Sequence, residues 1–128
     1  MSFILTLCLM MPGVCETTGL DHLDAMATME DAGPVERWRP LVAAQFPAGE
    51  VDTAICIIRH ESNGKPDADN PRSSAAGLFQ VLGSLWAPHY GINRSELYDP
   101  IVNTRIARDI WDDYGWWAWS PYKRGACR

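Results

Sequence analysis

The chain has 128 residues and a mass of 14.3 kDa, which suits one domain around a single core and leaves little room for two. A net charge of −5 and a pI near 5.0 argue against a general nucleic-acid binder, which needs a basic stripe; no apolar run approaches the ~20 residues of a membrane-spanning helix. In an otherwise ordinary composition six tryptophans stand out, and side chains of that size either fill a core or offer flat faces to a ligand.

Residues 3–11, Phe-Ile-Leu-Thr-Leu-Cys-Leu-Met-Met, form a short apolar run ahead of Pro12-Gly13, like the apolar region of a secretory signal. No Lys or Arg precedes the run, the first basic residue being Arg37, and no clean small-x-small cleavage site follows. A signal cut between Val14 and Leu20 and a short buried N-terminal segment are both open readings. Residues 16–33 are acidic and without periodicity, so 1–33 reads as a signal or lead-in segment and 34–128 as the folded domain. The four cysteines, at 8, 15, 56 and 127, contain no Cys-x-x-Cys pair, and no zinc or redox centre is expected. Cys8 and Cys15 fall in the lead-in. Cys56 and Cys127 are expected to form a disulfide that ties the C-terminus to the core, worth about 4 kcal/mol in the chain-entropy account. Two buried free thiols are the alternative.

From Gly33 the pattern is helical. Pro34 suits a first helical turn, Val35, Trp38, Val42 and Phe46 fall near one face, and Pro40 should kink or divide the segment. Residues 50–61 follow as a strongly apolar helix, with Val51, Ala54, Ile55 and Ile58 at i, i+3, i+4 and i+7 and with Cys56 and Ile57 widening the buried arc. Asn63-Gly64 ends it, because both residues tolerate positive φ. Residues 65–76 are loop-like, any sheet being confined to 65–80, and a short helix is expected from Ser84 to Tyr90. Asp99-Pro100 is an N-cap followed by a first-turn proline, opening a helix that carries Val102, Ile106, Ile110 and Trp111 and ends near Gly115. The aromatic tail Trp116-Trp-Ala-Trp-Ser-Pro-Tyr is interrupted by Pro121. The fold class is therefore mainly α, with at most a minor hairpin.

Glu61 is the leading candidate for chemistry. It stands three residues beyond Ile58 and seven beyond Ala54, beside the apolar stripe of its helix. A carboxyl there is partly desolvated, which raises its pKa, and a carboxyl still protonated near neutral pH can act as a general acid toward a leaving oxygen. Periodicity alone would equally allow a solvated helix-end glutamate. The neighbouring sequence separates the two.

His60-Glu61-Ser62-Asn63-Gly64, with Gly77-Leu78-Phe79-Gln80 beginning sixteen residues after the glutamate, resembles the lysozyme-like transglycosylase domain of the soluble lytic transglycosylase type. The likeness spans roughly Val35 to Arg124. It implies a lysozyme-like fold and cleavage of the β-1,4 bond between N-acetylmuramic acid and N-acetylglucosamine in peptidoglycan. On that resemblance Glu61 is the single catalytic acid/base and Ser62 the helix-end residue that orients it. Gly77 and Gln80 are cleft-wall positions near the sugar, and Asn70, Ser73 or Ser74 supplies a polar contact from the loop. The family's third motif, Ala-Tyr-Asn-x-Gly, is replaced here by the region Tyr114 to Tyr122, where Tyr114, Trp119 and Tyr122 are candidates for the tyrosine that faces the acid.

Asp67 and Asp69 are the nearest partners for a two-carboxylate hydrolase, although both read more simply as solvated turn residues. Trp86, Tyr90, Trp116, Trp117 and Trp119 can stack on sugars or fill the core, and one or two of the six tryptophans are expected in the cleft. His22, His60 and His89 lack ligand spacing, His60 reading as structural. Lys123, Arg124 and Arg128 make the C-terminus locally positive. The expected protein is thus a secreted, wall-associated or virion-borne enzyme acting on peptidoglycan strands as a monomer, without metal or organic cofactor. A non-catalytic wall-binding or virion structural module on the same fold is the alternative.

Overall fold

A computed structural model describes residues 32–128. The apolar run, Cys8, Cys15 and His22 lie outside the described residues, and with them nearly all of the expected lead-in.

Helix α1 (Gly33–Glu36) and helix α2 (Arg39–Gln45) share the expected face, with Val35, Val42 and Phe46 buried. Pro40 divides the segment: it stands in the first turn of α2, where its missing N–H leaves no intrahelical bond unmade. A 3₁₀ turn at Ala48–Glu50 leads into α3 (Val51–Glu61), the central helix, which packs against α1, α2 and the C-terminal segment. Its Val51, Ala54, Ile55, Ile57 and Ile58 are buried, burial that removes apolar surface from water at roughly 25 cal/mol per Å².

The helix stops in a defined way. Ser62 is buried, its Oγ donating to the Ile58 carbonyl at 3.2 Å and accepting from the Gly64 amide at 3.2 Å. Asn63 and Gly64 then turn the chain at φ 53° and 79°. A Cβ on Gly64 would overlap the Pro34 carbonyl, and Trp38 Nε1 donates to the Gly64 carbonyl at 2.7 Å, so this turn is sealed against the N-terminal helices.

Strands β1 (Ala75–Ala76) and β2 (Val81–Leu82) pair antiparallel, Ala75 opposite Leu82 and Ala76 opposite Val81. The second strand falls just past the expected limit of residue 80, because the Gly77–Gln80 segment is the turn between the strands rather than part of one. Helix α4 (Gly83–Tyr90) and a 3₁₀ turn at Arg94–Tyr98 precede α5 (Pro100–Tyr114). Asp99 caps α5 as expected, accepting from the Ile101 amide at 2.8 Å and the Val102 amide at 3.4 Å. The buried face of α5 is Asn103, Thr104, Ile106, Ala107 and Ile110, rotated from the expected stripe so that Val102 and Trp111 lie at its half-buried margins. The aromatic tail forms a 3₁₀ turn (Gly115–Ala118) and a short helix α6 (Ser120–Lys123), Pro121 standing in the first turn of the latter.

Phe46 sits at the centre of the core, its ring 5.8 Å from that of Phe79 and 5.3 Å from Trp116, with Trp116 5.5 Å from Trp119. The buried indoles keep their polar edges satisfied: Trp116 Nε1 donates to the Glu50 carboxylate at 2.7 Å and Trp119 Nε1 to the Phe79 carbonyl at 2.9 Å. Cys56 and Cys127 are disulfide-bonded across 71 residues, fastening the tail to α3. Among the described residues no helix is long and apolar enough to cross a membrane.

Candidate active site

The site is built around a turn held from behind. Gly77 has φ +80°, and a Cβ there would collide with the Leu97 carbonyl and the Asn103 amide. Asn103 is fully buried on α5, with Nδ2 donating to the carbonyls of Ala76 and Leu97 at 2.9 Å each and Oδ1 accepting from the Phe79 amide at 2.9 Å. One side chain thus satisfies two backbone groups of a turn that cannot complete a ladder of its own, and ties it to the Leu97 carbonyl of the 3₁₀ turn before α5. Gln80, at φ 50°, donates through Nε2 to the carbonyls of Gly77 (3.0 Å) and Ala68 (3.2 Å), tying the turn to the loop beside it. The far side of that loop is braced by Arg94, which donates to the Ser74 carbonyl (3.0 Å), the Ala75 carbonyl (3.0 Å), the Tyr98 hydroxyl (2.9 Å) and the Asp69 carboxylate.

Two depressions meet at the end of α3, sharing Glu61 and Gln80 as a common wall. One, of about 530 Å³, is an aromatic and aliphatic arm with Trp86, Tyr114, Trp117, Trp119, Leu82 and Leu85 around it and Lys123 at its rim. The other, of about 560 Å³, is a polar arm lined by Arg59, His60, Asn63, Asp69, Asn70 and Arg72. Glu61 is half-buried between them. Burial pushes its carboxyl above the usual carboxylate range, and the positive charge of Arg124 opposes that rise in part. Asp69 is moved the other way: the hydrogen bond from Arg94 holds its carboxyl below the ordinary range, so it stays ionised.

The residues expected at the site separate into three groups. Glu61, Gln80, Tyr114 and Trp119 line the aromatic arm; Glu61, Gln80, Ser62 and Asn70 line the polar arm. Ser62 reaches Glu61 only through the backbone, since its hydroxyl is committed to the helix-end turn. Asn70 Oδ1 accepts from the Arg72 amide at 2.9 Å, an Asx turn that shapes the loop. Gly77, Ser73 and Tyr122 line neither arm: Gly77 backs onto Asn103, Ser73 Oγ accepts from the Ala75 amide, and Tyr122 packs edge-on to Trp117 at 5.1 Å. Ser74 bonds to Ser84, Oγ to Oγ, at 2.8 Å.

Among the third-motif aromatics, Tyr114 is 61% exposed on the groove, whereas Trp119 is 6% exposed with its N–H already bonded. Trp117, 53% exposed, and Trp86 bring the tryptophans on the groove to three, one more than expected, because the 3₁₀ turn after α5 directs 116 inward and 117 outward. Asn103 and Arg94 were missed. Asn103 falls at i, with Ile106, Ala107 and Ile110 at i+3, i+4 and i+7, and a lone amide in an apolar stripe is the signal that would have found it. Leu82, Leu85 and Lys123 carried no such signal as groove residues.

Donor atoms of Cys56, His60 and Cys127 lie within 4.8 Å of one another, but the two sulfurs are bonded together, which removes both thiolates that a metal would require.

A small, mainly helical domain with one short hairpin and a half-buried glutamate ending its central helix under an open groove is a lysozyme-like domain. Residues 41–114, more than half of the chain, match the family described as the transglycosylase SLT domain, and the chain belongs to that family. The match stops at Tyr114, so Trp117, Trp119, Lys123 and the bridged tail lie beyond it. No curated protein and no solved structure matches the chain significantly.

Proposed function

We propose that the domain is a lytic transglycosylase that cuts the β-1,4 bond between N-acetylmuramic acid and N-acetylglucosamine in peptidoglycan, with Glu61 as its single acid/base. The observation that carries this reading is the placement of Glu61: a half-buried carboxyl, held toward its protonated form by desolvation, where two arms of a groove meet. A glycan strand laid along the groove has its scissile oxygen at that junction. The Glu61 proton goes to the glycosidic oxygen, and the electron pair of the C1–O bond leaves with that oxygen. The carboxylate so formed takes the proton of the muramyl C6 hydroxyl as its oxygen bonds to C1. The product is a 1,6-anhydro ring, Glu61 is protonated again, and no water is consumed.

A hydrolase would need a second carboxylate set to activate water or trap the sugar. Asp69, on the polar arm, is engaged by Arg94, and Asp67 lines neither arm. Both facts favour the one-carboxylate reaction. The exposed faces of Trp117 and Tyr114 suit the apolar faces of pyranose rings, while Asn70, Arg59 and Arg72 suit hydroxyl, acetamido and carboxylate groups. Such a substrate places the enzyme at the cell wall, by export or on a virion, and a groove complete within one chain suits a monomer.

Incubating the protein with purified peptidoglycan and weighing the released muropeptides tests the reading. Anhydro ends are expected; reducing ends would replace the lyase by a hydrolase. Absence of release would leave a wall-binding module. Glu61→Gln should keep the fold and lower turnover by about 10²-fold or more, the usual worth of general acid–base catalysis.

A further inference from the structure

Trp117 stands on the 3₁₀ turn Gly115–Ala118, a mount too short to fix a large ring by itself. Its neighbours Trp116 and Trp119 are fixed by burial and by a hydrogen bond from each Nε1. Trp117 lacks that burial: it is 53% exposed on the aromatic arm of the groove. Its ring has supports of another kind. Tyr122 of α6 stands perpendicular to it with ring centroids 5.1 Å apart. The Arg128 guanidinium lies over it, Cζ being 5.2 Å from the Trp117 centroid and 5.8 Å from that of Tyr122. Both distances fall within the reach of about 6 Å over which a cation is attracted to an aromatic face. Arg128 is itself held at two points. Its Nη2 donates at 3.2 Å to the Lys123 carbonyl, one of those the end of α6 leaves without an intrahelical partner. The residue before it, Cys127, is bonded to Cys56 of α3. Among the described residues no carboxylate forms an ion pair with Arg128.

We propose that Arg128 is a positioning residue for the groove: its guanidinium fixes the Trp117 ring at the wall of the aromatic arm, and glycan binding depends on Arg128 only through that ring. The inference rests on the reading of the groove as a glycan site. An exposed indole that is free to turn must give up that freedom when a sugar stacks on it, whereas a ring fixed beforehand has already done so. A cation suits the task on a wetted surface, because its attraction to the ring needs no burial. Arg128 lines neither arm and is not placed to touch a strand along them. Trp117, Tyr122 and Arg128 all lie beyond Tyr114, where the family match ends. An exposed contact of this kind corresponds to about 2–5-fold in affinity, less than the loss of the ring itself.

Nitrogen-15 relaxation of the indole N–H groups, in the full chain without ligand, reads the ring directly. In Arg128→Gln the order parameter of Trp117 Nε1–H should fall from about 0.85 toward about 0.6, while those of Trp116 and Trp119 stay unchanged. Arg128→Lys keeps a cation beside the rings and should restore most of the order. Binding is read by calorimetric titration with a β-1,4-linked N-acetylglucosamine hexamer, a neutral probe that offers an arginine no carboxylate. Arg128→Gln should bind it about 2–5-fold more weakly, and should cause no further loss when added to Trp117→Ala. Unchanged order in Arg128→Gln, a lysine variant no more ordered than the glutamine one, or a loss of affinity that persists undiminished in Trp117→Ala overturns the proposal. If wild type binds neither the hexamer nor purified peptidoglycan while the Trp117 indole still loosens in Arg128→Gln, the glycan reading of the groove fails and the positioning of the ring stands.

Discussion

Replacing Asn103 tests how the groove is held. Its side chain makes three hydrogen bonds to backbone groups of the Ala76–Phe79 turn and to Leu97, all fully buried. Asn103→Ala removes one acceptor and two donations, leaving two carbonyls and an amide without partners. At about 1 kcal/mol net per bond, with a further cost for groups left unsatisfied, the loss should be roughly 3–5 kcal/mol. In a domain of about 100 residues that lowers Tm by roughly 12 °C or more. Asn103→Asp sharpens the test, because it keeps the volume and the acceptor for the Phe79 amide but puts an oxygen in place of Nδ2, against the carbonyls of Ala76 and Leu97. That buried carboxyl should have a folded pKa above its unfolded value. The native state then keeps its proton longer than the unfolded chain, so the variant loses stability as pH rises above about 4 and regains part of it in acid. Urea or thermal unfolding at several pH values reads both effects. If Asn103→Ala cost less than about 1 kcal/mol, or Asn103→Asp were equally stable at pH 4 and pH 8, the turn would not depend on this side chain in the way argued.

Other outcomes are open to measurement. Burial raises the folded pKa of Glu61, so wild-type stability should fall as pH rises past the unfolded value of about 4.3, and Glu61→Gln should flatten that dependence and be slightly the more stable above neutrality; parallel unfolding curves for the two proteins across pH would contradict the desolvation argument. Trp117→Ala should weaken binding of a glycan oligomer by about 5–10-fold, the worth of one aromatic stacking contact, while changing folding stability by about 1 kcal/mol or less; calorimetric titration with unchanged affinity would remove Trp117 from the binding surface. Reducing Cys56–Cys127, which spans 71 residues, should cost about 4 kcal/mol of unfolding free energy; denaturation curves that coincide with and without reductant would show that the tail is held by packing alone.

Much of this protein is local, and local features could be read from the chain. The apolar spacing over 51–58 specifies α3 and, by the same geometry, puts Glu61 at its half-buried end. Asp99-Pro100 sets the start of α5, and Asn63-Gly64 the end of α3, because capping and positive φ are properties of a few adjacent residues. The two motifs, His60–Gly64 and Gly77–Gln80, point to the candidate site, and with Cys8 and Cys15 in the lead-in the expected bridge falls to Cys56 and Cys127, which are bonded. The groove itself was settled only by packing between distant segments. Gly77 looked like a cleft-wall glycine, yet its missing Cβ makes room for the Asn103 amide behind the turn. Asp69 reads as a solvated turn residue and is exposed, but its partner is not local: twenty-five residues along the chain, Arg94 reaches back to pair with it. Trp116, Trp117 and Trp119 are near neighbours with similar propensities, and which of them faces the core depends on how the 3₁₀ turn after α5 meets Phe46 and Phe79. Hydrophobic periodicity encodes which side of an element is buried. It carries no term for which partner across the chain will bury it, and that choice, made only when the elements pack, decided the walls of the groove.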